Sequence, residues 1–165
     1  MRTEEEAMKL ITNRFLDCNV KKLRPQNLEA KIPESITIDI LSHLKSHGYS
    51  HLATISCVDW IDDNKFELAY HLFSYEDRIN ITIQTRIDRE KAKYITAKEL
   101  WPVAQFYERD IHDFFGVEFE GNDNLEELIL ENWNHTPPMR KDFDTRKFVN
   151  EQYEWRDYHE QENAD

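Results

Sequence analysis

The side chains best suited to chemistry cluster in Phe106-Tyr107-Glu108-Arg109-Asp110-Ile111-His112-Asp113. Glu108 and His112 are four residues apart, so on a helix they share a face where a metal could sit between them. Helical carboxylate–histidine centres instead set Glu and His three apart and repeat the pair on a second helix, which this chain does not do. The other histidines (43, 47, 51, 71, 135 and 159) form no H-E-x-x-H or H-x-H pattern. Asp110 and Asp113 are an acid–base pair by type alone, and helix-surface acids in a chain with 33 acidic residues are as a rule solvated. Ser42 lacks a His/Asp frame, and there is no G-x-S-x-G elbow. Cys18 and Cys57 cannot supply an iron–sulfur cluster or a structural zinc, and are expected as reduced, buried thiols. Gly48, Gly116 and Gly121 fit neither a G-x-G-x-x-G turn nor a Walker loop. No catalytic, cofactor-binding or metal-ligating residue is expected on this chain.

The elements that must carry these residues follow from periodicity. Thr3 and Glu6 form a capping box, with Met8, Ile11 and Phe15 at helical spacing, predicting a helix to about Leu16. Leu28, Ala30 and Ile32 alternate as a short strand. Pro33 opens a second helix with Ile36, Ile40, Leu41 and Leu44 on one face, ended by Gly48. His51 to Trp60 reads as a strand and Asp62-Asp63-Asn64 as a turn. Phe66 to Leu72 and Ile79 to Ile83 alternate around a turn at Tyr75-Glu76-Asp77, a hairpin with one buried face. A second capping box, Thr96 and Glu99, starts a helix that continues past Pro102 to Gly116. Its apolar stripe is Val103, Tyr107, Ile111, Phe114 and Phe115, leaving Glu108, Arg109, His112 and Asp113 largely on the other sides. Asn122 to Asn124 offer caps for a short helix through Leu130. The expected fold is α+β, an antiparallel sheet with helices packed on one side. Residues 1–143 form the domain, and residues 144–165, with seven acids against three bases, form an extended C-terminal arm.

The whole chain of 165 residues carries 33 acidic and 21 basic residues, net −12, which excludes a general nucleic-acid binder. Twenty aromatics (nine Phe, seven Tyr, four Trp) supply large pieces for one core. No apolar run approaches the roughly 20 residues of a membrane span, and Met1-Arg2-Thr3-Glu4-Glu5-Glu6 lacks the apolar stretch of a secretory signal. A soluble chain, not exported by that route, is the expectation.

Two ordered motifs carry a resemblance. The first is Trp101-Pro102, then Tyr107-Glu108-Arg109-Asp110 running to Asp113, Phe115-Gly116-Val117, Phe119 and Gly121; the second is Trp133, then Pro138-Met139-Arg140-Lys141-Asp142-Phe143. With the hairpin before them, they span roughly Phe66 to Phe143. In this stretch the chain resembles the 30 kDa subunit of respiratory complex I, the C subunit of bacterial NADH:quinone oxidoreductase, and its counterparts in membrane-bound energy-converting hydrogenases. Where that family commonly reads His-Pro-Asp-Leu-Arg-Arg, this chain has Asn122-Asp123-Asn124-Leu125-Glu126-Glu127, so two basic positions have become acidic.

The resemblance implies a non-catalytic subunit of the peripheral arm, on the cytoplasmic side of the cell membrane. It would scaffold a large, 49 kDa-like subunit and a cluster-bearing small subunit for electron transfer coupled to ion translocation, meeting the membrane arm only through the complex. Iron–sulfur clusters, and nickel–iron or quinone, would lie on those partners. The alternatives are the equivalent subunit of a [NiFe] hydrogenase or of a ferredoxin- or F420-linked complex, a free-standing acidic adaptor, or a metal enzyme using Glu108 and His112. The structural and interface residues implied are Trp101, Pro102, Glu108, Arg109, Asp113, Phe115, Gly116, Phe119, Gly121, Trp133, Arg140, Lys141, Asp142 and Phe143. Arg109 is expected to be a structural ion-pair residue held between acidic groups of this chain or its partner, because its planar fork satisfies two carboxylates at once. Pro138 to Phe143 and the tail behind them are expected to dock on the large subunit rather than on this chain's own core.

Overall fold

The computed structural model describes residues 1–16 and 18–152. It opens with α1 (Glu4–Thr12), whose Thr3/Glu6 capping box is formed. The helix stops four residues short of the expected end, because Asn13 caps it and Phe15 turns back to bond Ile11. An edge hairpin follows, β1 (Asn19–Arg24) and β2 (Asn27–Ile32). A 3-10 turn at Glu34–Ile36 leads into α2 (Thr37–Ser46). Next come β3 (His51–Trp60), β4 (Lys65–Ser74) and β5 (Ile79–Asp88). Short strands β6 (Lys93–Ile95) and β7 (Glu118–Glu120) flank α3 (Ala104–Phe115), and α4 (Thr145–Gln152) comes last.

The main sheet has the order β1-β2-β5-β4-β3. Three of its four pairings are antiparallel as expected, but β2 runs parallel to β5. Periodicity fixes which face each strand buries, not the direction of its neighbour. Here Leu28 and Ala30 fall beside Ile81 and Ile83, which extends one apolar face across the junction whichever way the chain runs. That face, with Phe66, Leu68, Tyr70, Leu72 and Ile55, packs against Ile11, Ile40, Leu41, Leu44, Ile111 and Phe115 from the helices in one core. Each such fully buried side chain contributes about 1.5–3 kcal/mol of transfer free energy. The opposite face is polar and orderly. His71 bridges Ser56 and Thr82, both at 3.2 Å, and Arg86 pairs with Glu67 and Asp63. β1 left no signal in the sequence because only one of its six residues is even partly buried.

The expected extended arm is corrected in part: residues 145–152 form α4, with Phe148 and Val149 half-buried. The remainder of that arm lies outside the described residues.

Candidate functional site

Both motifs converge around α3. The helix does not begin at a Thr96 cap, because Pro102 disfavours helical geometry in the residue before it. The backbone instead turns at Ala97–Trp101 and re-enters a helix at Ala104, with no side-chain cap. Trp101 is buried in that turn, its indole donating to the Ser50 carbonyl at 2.7 Å, while Pro102 is exposed.

The released Thr96 serves a different residue. Glu108, placed by periodicity on a solvated side, is fully buried. Its carboxylate accepts from the Thr96 hydroxyl at 2.6 Å, the Ala97 amide at 2.7 Å and the Asn122 side-chain amide at 2.9 Å. Burial raises its pKa, and these three donors hold back that rise. Glu108 therefore stitches the start of the motif to the loop after β7. Phe119, in β7, is buried, and Gly121 follows it with φ +92° so close to Thr96 that a Cβ would lie 3.0 Å from its methyl group. The role of Asn122 in satisfying Glu108 was not legible without the fold.

Within this chain the expectation for Arg109 is corrected. It pairs with no carboxylate among the described residues and donates to two backbone carbonyls, Glu126 at 2.7 Å and Glu127 at 2.5 Å. Four residues on, Asp113 Oδ2 accepts from the amides of Leu128, Ile129 and Leu130 at 3.2, 2.9 and 3.2 Å. Successive amides pointing at one anion make a nest, here filled by the chain's own carboxylate. This explains the missing helix before Leu130, since the carbonyls and amides it would pair internally are held by α3.

Gly116 caps α3 with φ +74°, and a Cβ there would lie 3.1 Å from Pro137. Phe115 is buried with its ring edge-on to Phe66, centroids 6.0 Å apart. His112 Nδ1 lies 2.9 Å from the Val117 carbonyl. Glu108 and His112 thus face different partners, and no group of three or more candidate metal ligands exists among the described residues.

The second motif folds back on the sheet, which corrects the expectation for Pro138 to Phe143. The Met139 amide donates to Phe114 and the Lys141 amide to Asp59 Oδ2, at 3.0 and 2.8 Å. Asp59 is 3% exposed and receives a two-pronged bond from Arg89, at 2.7 and 2.9 Å, while Arg89 also reaches Asp142 at 2.8 Å. Burial pushes Asp59 up, but the Arg89 and Lys141 bonds outweigh it and hold the pKa below the usual carboxylate range. Asp142 is held down mainly by Arg89. The Arg140 guanidinium lies 5.4 Å from the centroid of the Phe66 ring, and the Lys141 ammonium 5.8 Å from that of Trp60. Trp133, Phe143 and Phe148 stack on one another at 5.0–5.6 Å, with His135 against Trp133 and Phe148. Asp59 and Arg89, the centre of this anchorage, were missed because each stands outside the motifs at a strand end.

Comparison with known proteins agrees with this geometry. The chain is 30% identical over 113 residues to the C subunit of NADH-quinone oxidoreductase from Moorella thermoacetica, covering 68% of this chain and 76% of that one. It is 29% identical over 119 residues to the C/D subunit of NADH-quinone oxidoreductase from a Psychrobacter species, covering 66% of this chain but 20% of that protein. A chain in the structure of the membrane-bound sulfane sulfur reductase, an archaeal respiratory membrane complex, superposes with a TM-score of 0.86 at 35% identity, covering 93% of each. Residues 30–149, from β2 into α4 and including both anchorages, match the model of the respiratory-chain NADH dehydrogenase 30 Kd subunit, and the chain belongs to that family.

Proposed function

We propose that this chain is a non-catalytic subunit of the peripheral arm of a membrane-bound respiratory oxidoreductase, on the cytoplasmic side, where it seats the large subunit beside the cluster-bearing small one. The observation that carries this reading is the use of the motif charges. Glu108, Arg109 and Asp113 are each engaged by this chain's own backbone and side chains, which supports a role in shaping a surface. No helix among the described residues is long and apolar enough to cross a membrane, which suits attachment through partners. The Psychrobacter relative, whose name joins the C and D subunits on one chain, supports a large subunit as neighbour. Iron–sulfur clusters, and the nickel–iron or quinone site, would then belong to partner chains. The likeness of this chain to a chain of the sulfane sulfur reductase complex, 35% identical and covering 93% of both, supports a parent complex of that kind.

The test is purification of the tagged chain from its own membranes in mild detergent. A large subunit and a cluster-bearing subunit should co-purify in fixed ratio, and the assembly should reduce sulfane sulfur faster than quinone. Recovery of the chain alone, or of a chain with its own visible chromophore, overturns the reading; preference for quinone or proton reduction reverses only the choice of complex.

A further inference from the structure

The clamp formed by Arg109 and Asp113 has a product: the loop Glu126–Leu130, held by five backbone hydrogen bonds to two side chains one helical turn apart. At its tip Leu128 and Ile129 are 42% and 59% exposed. We infer that this loop is a docking tip whose Leu128 and Ile129 enter an apolar socket rimmed by Lys and Arg on the large subunit; the inference rests on the function proposed above. Adjacent exposed aliphatics on an irregular loop would ordinarily sample many conformations. Fixing the backbone beforehand removes that ordering cost from association, the usual basis of a pre-organised contact.

Charge selects the occupant. From Asp110 to Met139 the chain holds eight acids and no Lys or Arg, while Arg109 lies against the loop's carbonyls and Lys98 pairs with Asp123. Glu126 and Glu131 flank the tip, exposed and without an ion pair among the described residues. A second copy of this chain would bring acid against acid in a molecule of net charge −12, and an anionic leaflet would repel the same surface. A basic rim around an apolar centre meets both features, with the apolar contact giving affinity and the charges giving register and on-rate.

The experiment compares tagged wild type, the double variant Leu128→Ser/Ile129→Ser, and the charge reversal Glu126→Lys/Glu131→Lys, each expressed in the native host and recovered in mild detergent. All four positions are exposed, so melting of the isolated chains should match wild type. Leu128→Ser/Ile129→Ser should recover at least tenfold less large subunit. The reversal should do the same at low salt, with the gap narrowing as salt rises. Wild-type recovery by the serine variant overturns the docking tip and leaves the proposed function standing. If that variant melts lower than wild type, the reversal decides, and undiminished recovery with it overturns the proposal. Wild type retrieving no oxidoreductase subunits removes both.

Discussion

Arg89 sits 7% exposed between Asp59 and Asp142, so its loss would leave a buried carboxylate uncompensated. Breaking such a pair costs about 3–5 kcal/mol, against about 0–1 for an exposed one. Arg89→Ala should therefore lower the urea midpoint far more than Glu76→Ala on the exposed hairpin turn; equal shifts would make Arg89 an ordinary surface residue. The pH dependence has a defined sign. Asp59 and Asp142 have lowered folded pKa values, so their stabilisation is present above the ordinary carboxylate value near 3.9 and is lost as pH falls through the folded values. Glu108 is the opposite case. Its raised folded pKa means that acidifying from neutral relieves the cost of its buried charge. As pH falls from 7, the stability difference between wild type and Glu108→Gln should move in favour of wild type, since the half-buried His43 and His71 act equally in both, and the loss below pH 4 should be less steep in Arg89→Ala. Cys57 gives a third readout. Burial and the neighbouring Asp59 charge push its thiol pKa up, so it should resist alkylation at pH 8 until the chain unfolds.

At the scale of elements, α3 is a rod fixed at both ends: Trp101 and Glu108 tie its first half to Ser50, just before β3, and to the loop after β7, while Gly116 lets the chain reverse beneath Pro137. A non-glycine residue in the left-handed region costs roughly 1–2 kcal/mol. Gly116→Ala adds a Cβ 3.1 Å from Pro137, so either that proline or the helix end must shift. The expected loss is about 2 kcal/mol, accompanied by faster hydrogen exchange at the Met139 amide, whose partner is the Phe114 carbonyl. Unchanged exchange at Met139 would show that the helix end and the second motif are not mechanically linked.

For the whole molecule, the sheet, α3 and the second motif close on one another through Phe66, which touches Phe115 and lies under both Arg89 and Arg140. Truncation after Met139 removes the Lys141 amide and Asp142 from the Asp59–Arg89 centre, whereas truncation after Asp144 keeps both. The first should melt clearly lower than the second. Identical melting would mean that the second motif rests on the domain without stabilising it.

The sequence by itself determined the parts governed by local rules. The Thr3/Glu6 cap, the β4–β5 hairpin and the stop at Gly116 depend on neighbours within a few residues, and two ordered motifs sufficed for the family. Interior position and long-range pairing were decided only by tertiary structure. Glu108 looked solvated because helical periodicity counts hydrophobicity, and no local rule announces that Thr96, Ala97 and Asn122 will bring donors to a buried acid. The partners of Arg109 and Asp113 were not legible because they are backbone groups 15 to 18 residues away, and every residue type offers the same carbonyl and amide. The direction of β2 beside β5, the ion pair of Asp59 and Arg89, and the fold-back of Pro138 to Phe143 share that reason: each joins segments whose proximity exists only once the one-sided core has closed.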